Sequence, residues 1–230
     1  MFDKNLRVHV EKRLRPLGVN IDRAGLSADH LTLLGILMAI AASIAIANGA
    51  LRAGLLLLAL TAVPDVLDGA VAKASGTASP RGAFFDSVAD RFTDALLLGG
   101  VAWYLASTEP GRIAVLPLAV VALSMLISYE RAKAESLGYD ARGGLMERAE
   151  RLLALGFGLL FDSLLIAVLW VMLVLTAVTA VQRFVTVWRQ ASAPLPAPVP
   201  AAVRWRARRA ARTTERMKVR RERWPSRNRR

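Results

Sequence analysis

"DVLDGAVAKASGTASPRGAFFDSVAD", residues 65–90, places four aspartates inside sequence that is otherwise nearly pure aliphatic. "AGLLLLALTAVP" (53–64) precedes Asp65, and "ALLLGGVAWYLA" (95–106) follows Asp90 closely. Asp65 and Asp68 are three apart and share a helical face; Asp86 and Asp90 are four apart and share another. The turn-rich link "ASGTASPR" between them is short, so the two helices form a hairpin whose acidic faces converge. Four carboxylates in one small volume repel one another and favour protonation. Each intramembrane charge costs roughly 2.5–3.5 kcal/mol even on the lenient insertion scale. Nearby bases are few (Lys73, Arg81 and Arg91). Divalent cations are the economical countercharge, and all-oxygen ligands suit Mg²⁺ or Mn²⁺.

The surrounding chain supports a membrane setting. Of 230 residues 54% are hydrophobic, too many for an ordinary soluble domain of this size. Uncharged runs recur at 31–50, 53–64, 113–128 and 163–181, each at or near the length of a bilayer-spanning helix. The expected fold is therefore an all-α integral membrane protein. Six transmembrane helices, at about 30–49, 53–74, 82–105, 112–136, 146–161 and 163–189, follow an interfacial amphipathic helix. Leu152–Gln182 has no basic residue and is too long for one simple span; Gly156, Gly158 and "FDS" at 161–163 mark the expected break.

Charge sets the expected orientation. With six spans, the basic N-terminus, the 73–81 and 136–151 links and the basic tail share one side, and the other side receives only Arg52 and Arg112. By the positive-inside rule that shared side, with both termini and the aspartates, is cytoplasmic. Residues 1–25 read as the interfacial helix, with Leu6, Val10, Leu14 and Leu17 on one face and cations around the others. Residues 26–190 form the transmembrane domain, and 191–230 a Pro/Ala linker and basic tail. From Val203 to Arg230 the tail carries +11 of the net +13, a charge suited to anionic headgroups. No recognition module accompanies it, which disfavours nucleic acid. With no cysteine, disulfides and thiolate metal sites are excluded.

Asp65-x2-Asp68-Gly69-x2-Ala72-Lys73-x8-Gly82-x3-Asp86-x3-Asp90 resembles the signature of the CDP-alcohol phosphotransferases. It departs at one position, Lys73, where the family has arginine; charge is kept but a planar fork becomes a point charge. The resemblance implies two divalent ions held by Asp65, Asp68, Asp86 and Asp90, which bind the pyrophosphate of a CDP-lipid. It also implies that Asp90 serves as general base on an incoming alcohol, which attacks the β-phosphorus and expels CMP. CDP-lipid binding is implied for Asp29, His30, Leu31, Thr32, Asp65, Gly69, Lys73 and Ser79. "SADHLT" is equally a plain helix start with Ser27 as cap. Asp94, one turn beyond Asp90, reads as a polar residue at a helix contact or a supporting partner of the aspartates.

The second substrate is read from "SYERAKAESLGYDARGGLMERAER" (128–151) and "VQRF" (181–184). Arg131, Lys133, Arg148, Arg151 and Arg183 could converge on an alcohol that carries a phosphate, or serve as topogenic anchors at helix ends. The same segments resemble the actinobacterial phosphatidylinositol phosphate synthases, which join CDP-diacylglycerol to an inositol phosphate. That resemblance implies inositol phosphate as acceptor and a homodimer. Glycerol 3-phosphate is the alternative acceptor. More distant alternatives are a divalent-cation transporter and a non-catalytic relative.

Overall fold

A computed structural model describes residues 27–74 and 79–193. Over residues 63–74 it describes only the helical backbone. The expected interfacial helix over 1–25, and the linker and tail beyond residue 193, lie outside the described residues. The described chain is helical: α1 (Ala28–Ala47), α2 (Leu51–Ala74), α3 (Pro80–Thr108), α4 (Val115–Ser136), α5 (Arg148–Leu160) and α6 (Leu165–Ala191). A 3₁₀ turn, Asp162–Leu164, joins α5 to α6.

Local chemistry accounts for the boundaries. Ser27 opens α1 through a reciprocal capping box with His30, so both residues satisfy orphan backbone groups. Gly49, at φ +79°, makes the left-handed turn into α2. Ser79 caps α3, its Oγ accepting from the Gly82 N–H at 3.1 Å, and Pro80 fills the position where a missing N–H costs nothing. The expected break after Gly158 is the end of α5 at Leu160, with Phe161 outside both helices.

Packing follows the small residues. α1 contacts both α2 and α3, α4 contacts α3 and α6, and α5 contacts α2 and α6. Gly100 of α3 lies against Ser43 of α1, where an added Cβ would sit 2.6 Å from the Ser43 carbonyl oxygen. The Ser43 hydroxyl donates to the Leu96 carbonyl at 2.7 Å, stitching the same crossing. Without a hydrophobic drive between helices in lipid, such close approaches and interhelical hydrogen bonds hold the bundle. Leu97, Val101, Val120, Leu155, Leu169 and Met172 fill the interior.

The outside is apolar too. Leu37, Leu56, Trp103, Leu118, Val171 and Val181 are exposed, the inverse of a soluble protein's surface. Ala28–Ala47, Val115–Ser136 and Asp162–Ala191 are long and apolar enough to cross a membrane. The molecule is a membrane protein. Three helices, rather than six, meet that test among the described residues. α2 and α3 carry the aspartates, and α5, at 13 residues, is about 20 Å long against a hydrocarbon layer of ~30 Å.

The α1–α3 crossing gives a paired prediction. Gly100→Ala forces the two backbones apart and lowers the melting midpoint in detergent, at a cost of about 1–3 kcal/mol. Gly99→Ala, whose Cβ meets nothing within 4 Å, leaves it unchanged or raises it. Equal effects of the two substitutions would contradict this packing.

Candidate active site

Three carboxylates climb one face of α3: Asp86, Asp90 and Asp94, each one turn from the next. Asp86 and Asp90 are half-buried, whereas Asp94 is buried. Facing Asp90 and Asp94 is the first turn of α5, which presents Arg148 and Arg151 at a spacing of three. Arg148 Nη1 lies 3.0 Å from Asp90 Oδ1, and its Nε 3.6 Å from Asp94 Oδ1. Arg151 Nη2 donates to Asp94 Oδ2 at 2.7 Å, and its Nη1 to the Met146 carbonyl at 3.3 Å. Arg91 reaches the other oxygen of Asp90 at 3.2 Å while its Nε donates to the Ser128 hydroxyl of α4. Charges alternate along this contact, so neither Asp90 nor Asp94 relies on water alone.

The loop that delivers α5 is bound down from several sides. Gly143 and Gly144 take φ of +92° and +146°, a geometry that strains side-chain-bearing residues. A Cβ on Gly144 would run into the Thr179 side chain. The Thr179 hydroxyl accepts from the Met146 N–H at 3.0 Å. Gln190 exchanges two hydrogen bonds with the Asp140 backbone. Arg183 is buried and donates from Nε and Nη2 to the Gly143 carbonyl, and from Nη1 to the Ile127 carbonyl. One guanidinium thus ties α6 to both α4 and the loop.

A cavity of about 470 Å³ opens between α3, α4, α5 and α6. Asp90, Arg91, Ser128, Arg131, Arg148 and Arg151 line it, together with Glu147, Glu150 and Arg183. Its guanidiniums outnumber its carboxylates, so its lining carries a net positive charge. Of the five cations expected to converge, four do. Lys133 is exposed and absent from the lining, because a residue two positions after Arg131 points to another face of α4. Arg131 itself pairs with Glu135 at 3.0 Å. Arg91 and Ser128 are additions; Arg91 is legible in the sequence only as a base adjacent to Asp90.

The starts of α1 and α3 also meet. Asp29 and Arg81 form a 2.6 Å ion pair between exposed side chains. His30 Nδ1 accepts from the Ser27 N–H, Thr32 donates to the Ala28 carbonyl, and Leu31 is buried. His30 and Ser79 both serve as helix caps, one completing the box at the start of α1 and the other opening α3. Asp65, Asp68, Gly69 and Lys73 lie on the stretch of α2 described only as helical backbone. Among the described residues no three His, Asp or Glu side chains gather as a metal site. Asp86 and Asp90 supply hard oxygen donors of the kind Mg²⁺ or Mn²⁺ takes, and the spacing of α2 offers the rest.

Residues 26–188 match the family described as CDP-alcohol phosphatidyltransferase. The chain belongs to that family. The matched region contains the whole aspartate signature and excludes the basic tail. Among similar phosphatidyltransferases, the archaetidylinositol phosphate synthase of Methanothermobacter thermautotrophicus is 38% identical over 175 residues, covering 74% of this chain and 87% of that protein. The phosphatidylinositol phosphate synthase of Streptomyces avermitilis is 34% identical over 206 residues, covering 84% of each. The crystal structure of the Mycobacterium tuberculosis phosphatidylinositol phosphate synthase with CDP-DAG bound superposes with a TM-score of 0.72. It is 31% identical and covers 76% of this chain and 93% of that one. A second structure of that enzyme is a complex with manganese and citrate.

The Arg183 anchor predicts a conformational effect. Arg183→Lys keeps the charge but cannot reach carbonyls on two elements, so the melting midpoint falls and residues 137–147 become sensitive to limited proteolysis. An unchanged digestion pattern would show that the loop is held by other contacts.

Proposed function

We propose that the protein is a membrane phosphatidylinositol phosphate synthase, transferring the phosphatidyl group of CDP-diacylglycerol to a hydroxyl of inositol phosphate and releasing CMP. The observation that carries this reading is the cation-lined cavity that opens onto Asp90. An alcohol bearing a phosphate fits it: guanidiniums take the phosphate and a carboxylate waits beside the hydroxyl. The names of the relatives support the acceptor, and the CDP-DAG bound to the Mycobacterium tuberculosis enzyme supports the donor.

Asp65, Asp68, Asp86 and Asp90 would hold two divalent ions, Mg²⁺ or Mn²⁺, a choice supported by the manganese complex of the Mycobacterium tuberculosis enzyme. Such ions neutralise a pyrophosphate and stabilise a departing phosphate. Asp90 receives the proton of the attacking hydroxyl as the new oxygen–phosphorus bond forms at the β-phosphorus. The bond from that phosphorus to the CMP oxygen breaks in the same displacement. Arg131, Arg148 and Arg151 orient the acceptor phosphate, Arg183 backs the cavity, and Lys133 lies beside it on α4. The donor lies along Asp29, His30, Leu31, Thr32, Asp65, Gly69, Lys73 and Ser79, with Lys73 as a point charge on the pyrophosphate. We place the cavity and both termini on the cytoplasmic side of a six-span bundle, and expect a homodimer.

Membranes containing the protein should release CMP from CDP-diacylglycerol only when Mg²⁺ or Mn²⁺ and inositol phosphate are both added. Consumption of glycerol 3-phosphate alone, when the two alcohols compete, would replace the acceptor. Asp90→Asn should lower turnover by at least ~10²-fold while CDP-lipid binding persists. Turnover at the wild-type rate would remove Asp90 as proton acceptor.

A further inference from the structure

Asp94 does not line the cavity and lies outside the four-aspartate signature, yet it is the most deeply buried of the three carboxylates described on this face of α3. A buried charge on a membrane helix is retained where it has a task. Its partners define one. Oδ2 is held by Arg151 Nη2 at 2.7 Å, and Arg151 is fixed at its other nitrogen by the Met146 carbonyl. Met146 is in turn fastened to Thr179. Oδ1 faces Arg148 Nε at 3.6 Å, while the Nη1 of that same guanidinium reaches Asp90 in the cavity at 3.0 Å.

We propose that Asp94 is a positioning residue for the acceptor phosphate: from behind the cavity, its carboxylate attracts the stem end of the Arg148 guanidinium as an ion pair, at 3.6 Å and without a hydrogen bond, so that the terminal nitrogens meet an incoming phosphate beside Asp90. This inference rests on the function proposed above. A phosphate entering the cavity competes with Asp90 for Arg148 Nη1, since both are anions within reach of one fork. The contact to Asp94 runs through Nε, a different edge, and survives that exchange. Arg148 then turns about a fixed point rather than swinging as a free four-bond side chain, which limits the rotamer freedom lost on binding. Asp90 is released from Arg148 in the same movement, at the moment the alcohol arrives.

The competing role for Asp94 is charge balance for buried Arg151 alone. The two separate in an Arg151→Met background, where Asp94 no longer serves Arg151. Adding Asp94→Asn there should raise the acceptor KM and the inhibition constant of inorganic phosphate together, each about tenfold, and leave the CDP-lipid KM unchanged. No change in either phosphate parameter would overturn the proposal. If Arg151→Met does not fold, Asp94→Asn alone is read for the same split. A phosphate-selective loss supports positioning, and an equal loss for both substrates contradicts it. Inorganic phosphate serves as probe whichever phosphorylated alcohol is consumed. A wild-type enzyme that uses glycerol 3-phosphate would therefore change the acceptor and leave the Asp94 comparison readable.

Discussion

The ladder of opposite charges between α3 and α5 is the interaction on which the site depends. Asp90, Arg148, Asp94 and Arg151 alternate along the contact at separations of 2.7 to 3.6 Å. Removing one partner of a buried pair leaves its mate uncompensated, at about 3–5 kcal/mol. Such a ladder contributes little net stability against a well-packed apolar alternative, because desolvation of the charges offsets their attraction. Its value is geometric. It fixes which carboxylate faces the cavity and which cation stands over it.

That geometry has a scaffold of its own. α1 can lie close to α3 because Gly100 gives Ser43 room, and α5 can start where it does because Gly144 and Thr179 meet without a side chain between them. Arg183 completes the support by linking α6, α4 and the loop through backbone carbonyls. A guanidinium anchored on backbone carbonyls shapes the cavity wall and adds positive potential to it. The cavity therefore combines rigid walls with one cation, Arg148, whose partners lie both inside and behind it.

Much of this is legible in the chain. Helix order and boundaries follow from apolar runs and from breakers such as the Gly156–Ser163 stretch, where α5 gives way to a 3₁₀ turn. The aspartate spacing resembles the signature of the family whose match spans residues 26–188, while the residues alone ask only for a countercharge such as divalent cations. What sequence does not reveal is the division of labour among the arginines. Arg148, Arg151 and Arg183 read alike as cations near a membrane surface. The fold ties Arg183 to backbone carbonyls and Glu147, ties Arg151 to Asp94, and sets Arg148 against both Asp90 and Asp94. The same holds for Lys133, since charge and proximity to Arg131 do not reveal which face of α4 a side chain takes.

The central claim is that the carboxylates of the α2–α3 hairpin carry divalent cations. Anomalous scattering from manganese-soaked crystals of the protein with CDP-lipid bound tests it most directly. The account predicts manganese peaks against Asp86 and Asp90. A map without a peak there would contradict it.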